Sequence, residues 1–156
     1  MTRARPTTTP RRVCDVARAG VPGLVLFAFM AAHALLETAR DALFLTRLGP
    51  EQLALAYAAI AVTALGAFAA VRRWGGLRDP RRMLIGFLVA ATAGTAALAA
   101  TLQVAPVMVF VLYVWTGLVA TLVVPTFWTV VHQCLRPADA KRRFAAIGAG
   151  GVLGAL

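Results

Sequence analysis

Four runs of roughly twenty apolar residues constrain this chain more than any other feature, because a hydrocarbon layer of about 30 Å takes about twenty helical residues to cross. They lie at residues 21–42, 53–71, 83–104 and 105–135. Within hydrocarbon every backbone amide and carbonyl must be paired inside the protein, and runs without strict alternation meet that demand as helices. The predicted fold class is all-α, a polytopic membrane helix bundle. Composition agrees: 60% of the residues are hydrophobic and the mean hydropathy is +0.77, whereas about 45–50% apolar is usual in soluble domains.

Residues 1–19 carry Arg3, Arg5, Arg11, Arg12 and Arg18 around Pro6-Thr7-Thr8-Thr9-Pro10. With no helical period, this stretch reads as a cytoplasmic tail ahead of a membrane domain at residues 20–156. The last long run can tilt, or bend at Pro125, where an amide donor is missing. A fifth run, residues 144–156, is too short to span and reads as an incomplete helix.

The formal charge of +10 would suggest nucleic acid in a soluble protein, but here it lies between the apolar runs. Five arginines precede the first run, five (Arg72, Arg73, Arg78, Arg81, Arg82) separate the second from the third, and Arg136, Lys141, Arg142 and Arg143 follow the fourth. By the positive-inside bias the amino terminus is cytoplasmic, and the expected location is the cell inner membrane, crossed several times. No aromatic-interleaved basic patch accompanies the charge, so nucleic acid is not an expected partner. Cys14 and Cys134 have neither metal-ligand nor redox spacing and are expected to be free thiols. No nucleophile–base pair or ligand cluster emerges; neither an enzyme nor a resident metal or cofactor is expected.

The first run departs from pure apolarity along one side. His33, Glu37, Arg40 and Asp41, with Phe44, fall on one helical stripe. Ionisable groups in hydrocarbon cost about 2.5–3.5 kcal/mol each on insertion scales, so this stripe should turn toward protein or water. Glu37 can reach both His33 and Arg40 at turn spacing, and the planar fork of Arg40 suits an anion. These four are candidate substrate-binding residues. The competing reading places Arg40 about 28 Å along the helix from Val21, near its far end, where it and Asp41 snorkel to water.

Two further candidates, Trp128 and His132, share a face near the end of the fourth run. Trp128 also fits an interfacial aromatic belt. Between the second and third runs, Asp79 is placed to cap a helix beginning with Pro80. Gly148, Gly151 and Gly154 would form one flat face for close helix packing.

The loop Gly75-Gly76-Leu77-Arg78-Asp79-Pro80-Arg81-Arg82 resembles the segment between helices two and three of the major facilitator superfamily, a gate latch in that family. Thr38-Ala39-Arg40-Asp41-Ala42-Leu43-Phe44, with Gly49 and Glu51, resembles the first helix of the nucleotide transporters of the ATP/ADP exchange type, which are related to that superfamily. Phe127-Trp128, His132-Gln133 and Ala140-Lys141-Arg142-Arg143-Phe144 resemble that family's fourth-helix end and following loop. The family pattern has lysine where Arg40 stands, which keeps the charge, and asparagine where His132 stands, which changes the donor and acceptor set.

The resemblance implies the amino-terminal part of a major-facilitator-like transporter that moves a phosphorylated anion, such as a nucleotide, by alternating access. Arg40 would be the phosphate contact, Glu37 the coupling or counter-charge, and the remaining transporter helices and the lipid bilayer the partners. The alternatives are a general major-facilitator solute transporter and a small, assembly-dependent structural membrane protein.

Overall fold

The computed structural model describes residues 20–75, 79–103, 105–134 and 137–156, with 74, 75, 134 and 137–142 described as backbone. The 1–19 tail, the Gly76 to Arg78 stretch and the side chains of Lys141 and Arg142 lie outside the described residues. Five α-helices run in order: α1 Val21–Arg47, α2 Leu53–Gly75, α3 Pro80–Thr101, α4 Val107–Cys134 and α5 Pro137–Ala155, with a 3-10 turn at Pro50–Gln52. No strand occurs among the described residues. Among the described residues four stretches are long and apolar enough to cross a membrane: Val21–Arg47, Pro50–Arg73, Pro80–Thr101 and Val107–Gln133. The described chain is all-helical and of membrane type.

The helix ends follow local chemistry. After Arg47 and Leu48, Gly49 takes φ 81°, a left-handed conformation that favours glycine, and Pro50 then starts the 3-10 turn. At α3 the Asp79 side chain accepts from the Arg81 amide at 3.0 Å, with Pro80 in the first turn. The helix α4 continues through Pro125 to Cys134. The helix α5 begins at Pro137, seven residues before the apolar run, because proline suits a first helical position and Ala138 to Arg143 do not oppose a helix. The basic stretch 141–143 is thus helical.

Threonine hydroxyls in these helices close on their own backbone. Thr38, Thr63, Thr92, Thr121 and Thr126 each donate to the carbonyl four residues back, at 2.7–2.9 Å. Such bonding satisfies a hydroxyl where water is scarce.

The described chain divides into two compact units. In one, the start of α1 through Ala31 packs against α5. The contact is made by Gly150, Gly151 and Gly154. A Cβ on Gly150 would lie 2.6 Å from the Gly23 carbonyl oxygen, and one on Gly154 would strike the Phe27 backbone. Gly148, expected on this face, has open space around its Cβ position, while Gly150 takes its place.

The second unit, residues 32–133, holds the rest of α1 with α2, α3 and α4. Its core gathers Phe44, Ala56, Val109 and Tyr113, with the Phe44 and Tyr113 rings 4.6 Å apart. Residues 113–117 of α4 receive all three neighbouring helices. Tyr113 meets Phe44 of α1 and Tyr57 of α2, Gly117 lies against Ile60 of α2, and Trp115 covers Gly94 of α3 while donating to Thr95 Oγ1 at 3.2 Å. Small residues at 94 and 117 permit this approach where packing, rather than the hydrophobic effect, holds helices together.

Gly94→Ala is expected to cost about 1–2 kcal/mol, because the new methyl must displace the rigid Trp115 indole from Thr95. The chain's tryptophan fluorescence in micelles should shift with it; an unchanged spectrum and melting curve would contradict this packing.

Candidate functional site

The polar stripe of α1 assembles as a connected group in the second unit. Its centre is Arg40, only 6% exposed. Nη1 donates to Thr116 Oγ1 at 2.6 Å and to the Tyr113 carbonyl at 3.3 Å; Nη2 donates to Glu37 Oε1 at 3.1 Å; and Nε donates to Asp41 Oδ1 at 3.2 Å. The guanidinium carbon lies 4.2 Å from the centroid of the Tyr113 ring, a cation–π distance. His33 Nε2 stands 3.4 Å from the same Glu37 Oε1.

The reach of Arg40 across to α4 takes it out of the snorkelling reading, while Asp41 beside it stays half exposed. Counting back from Arg47, Arg40 sits about 10 Å inside the end of α1. Its head group turns into the protein rather than outward. Burial of a charge without partners would be prohibitive, and Glu37, Asp41, Thr116, the Tyr113 carbonyl and the aromatic face supply those partners. No buried side-chain nitrogen or oxygen among the described residues lacks a hydrogen-bond partner.

Exposure is uneven across the group. The side chains of Glu37 and Asp41 are 44% and 52% exposed, while Tyr113 and Thr116 are buried. One edge of the guanidinium is therefore locked by buried groups of α4, and the other is covered by carboxylates open to the surroundings. Tyr57, more than half exposed, extends the group outward through Tyr113, with the two hydroxyls 3.4 Å apart.

Trp128 and His132 do not join this constellation. They lie twelve and sixteen residues beyond Thr116 on α4, about 18 and 24 Å along the helix axis. Trp128 packs edge-on against Phe127 at 5.8 Å, and His132 is exposed. Tyr113, Thr116 and Tyr57 are the site members that sequence reasoning missed. Thr116 and Tyr113 lie in an α4 that is apolar all round, so no periodic signal marks the side facing α1. An apolar groove of about 50 Å³ lies between α3 and α4, lined by Phe87 and Ala90 among others, with Trp115 its one side chain bearing a polar hydrogen. Its indole N–H is already donated to Thr95.

No group of three or more metal-ligating side chains occurs among the described residues. No protein-family model, no curated protein and no solved structure matches the chain. What fold and site define together is a class: an all-helical, membrane-type protein with an ion-paired arginine buried between its first and fourth helices.

Proposed function

We propose that the chain forms the amino-terminal part of a major-facilitator-like membrane transporter of the nucleotide-exchange type, moving a phosphorylated anion by alternating access. It packs with the remaining transporter helices in the cell inner membrane, amino terminus cytoplasmic. Substrate sites of such carriers lie within the bilayer between helix groups, where a fixed charge meets an oppositely charged solute. The observation that carries this reading is Arg40, an arginine 6% exposed inside a membrane-length helix, with a planar fork suited to phosphate.

A second reading rests on a different observation. The half-exposed groups around Arg40 are carboxylates, so the open side of the cluster is acidic. That arrangement favours a general solute carrier of the same fold class, taking a cationic or neutral solute.

Photolabelling separates the two. With the chain in bilayers, labelling by an azido-ATP is expected to be prevented by ATP and ADP but not by sugars, amines or amino acids. Arg40→Ala should lower labelling by about tenfold or more, the worth of a charge-assisted contact, and Arg3→Ala should leave it unchanged. Labelling indifferent to nucleotides would reject the nucleotide reading, and protection by amines would favour the second.

A further inference from the structure

The guanidinium of Arg40 has two edges with different fates. Nη1 is tied to Thr116 Oγ1 and the Tyr113 carbonyl, both in buried residues, and the Tyr113 ring covers the face. The opposite edge, Nε with Nη2, is the side-on fork with which arginine grips two oxygens of one phosphate or carboxylate. Here that fork is shared by two separate groups, Asp41 Oδ1 at 3.2 Å and Glu37 Oε1 at 3.1 Å, each giving a single oxygen. Both carboxylates are about half exposed.

We infer that Glu37 and Asp41 are internal stand-ins for a phosphoryl group, which displaces them from the Nε–Nη2 fork of Arg40 when it binds. This deepens, and rests on, the reading of the chain as a carrier of a phosphorylated anion. One phosphoryl group spans both donors with two of its oxygens, replacing two one-oxygen contacts by one bidentate pair. Glu37 keeps a partner when it leaves the fork: the Oε1 that meets Arg40 already stands 3.4 Å from His33 Nε2 on the same helix face. When the anion leaves, the carboxylates return, so the buried guanidinium is never left without a counter-charge. The stand-ins hold the site closed when empty and weaken anion binding, because each competes for the fork and repels the incoming charge.

The test is calorimetric titration of ATP into the whole chain in nanodiscs of zwitterionic lipid. Glu37→Gln keeps the shape and removes the competing charge; ATP should bind about tenfold more tightly than to the parent. Glu51→Gln, on the 3-10 turn, removes the same charge elsewhere and should change affinity by less than about twofold. Equal tightening by Glu51→Gln would reduce the effect to net charge and overturn the inference. Unchanged or weaker binding to Glu37→Gln, with binding to the parent intact, would overturn it too while leaving the transport reading standing. If circular dichroism shows that Glu37→Gln does not fold, Asp41→Asn carries the same expectation. Inorganic phosphate titrated alone, and discs containing phosphatidylglycerol, separate the sources of the phosphoryl group. Tightening for ATP and phosphate alike supports a soluble ligand, and loss of the ATP signal only in anionic discs supports a lipid headgroup competing for the same fork. Absence of any ATP or phosphate binding to parent and variant would overturn inference and reading together.

Discussion

Arg40→Met is expected to destabilise the folded chain in micelles by about 2–3 kcal/mol, measured by SDS titration of its helical circular dichroism. Removing one partner of a fully buried ion pair costs about 3–5 kcal/mol, and the half exposure of Glu37 and Asp41 lowers that figure here. The loss comes from three places: two carboxylates stranded at a membrane helix, the polar tie to Thr116 on α4, and the cation–π contact with Tyr113. Adding Glu37→Gln and Asp41→Asn to Arg40→Met should recover much of the stability, because an apolar or neutral set needs no counter-charge. Parent-like unfolding of Arg40→Met would mean that the arginine is held by water rather than by the protein.

The second large effect belongs to the pairing of α1 with α5. Gly154→Leu is expected to weaken it by about 2–3 kcal/mol, since the added side chain collides with the Phe27 backbone, which cannot step aside without separating the helices. Gly148→Ala is the matched control on the same helix. Its Cβ meets nothing within 4 Å, so relief of glycine's backbone entropy should raise stability by about 0.5–1 kcal/mol. Equal responses from the two positions, in the same SDS titration, would contradict the close approach at Gly150 and Gly154.

The contrast between these glycines illustrates how far the sequence carries. Helical period groups 148, 151 and 154 together, but which edge of a helix meets a neighbour depends on the neighbour. Here the closest approach runs along 150, 151 and 154. The apolar runs, by contrast, foretell helices directly, because length and hydropathy are local properties that hydrocarbon rewards. The Asp79-Pro80 cap is equally local.

The same distinction explains the site. His33, Glu37, Arg40 and Asp41 are legible as a stripe because they interrupt an apolar helix at turn spacing. Their contacts to α4 are not legible: Thr116 lies 76 residues from Arg40, in a helix with no polar face to announce it. Trp128 and His132 also share a face by spacing, at a level of α4 twelve to sixteen residues beyond Thr116. Shared spacing puts two residues on one face, yet only the packing of α1 against residues 113–117 decides which level of α4 carries the charged group.

The measurement that reaches the central claim most directly is equilibrium dialysis of labelled ATP against the bilayer-embedded chain and its Arg40→Met variant at fixed salt. The account predicts saturable binding to the parent, displaced by pyrophosphate, and about tenfold or greater loss of affinity in the variant. Equal binding to both, or none to a folded parent, would contradict it.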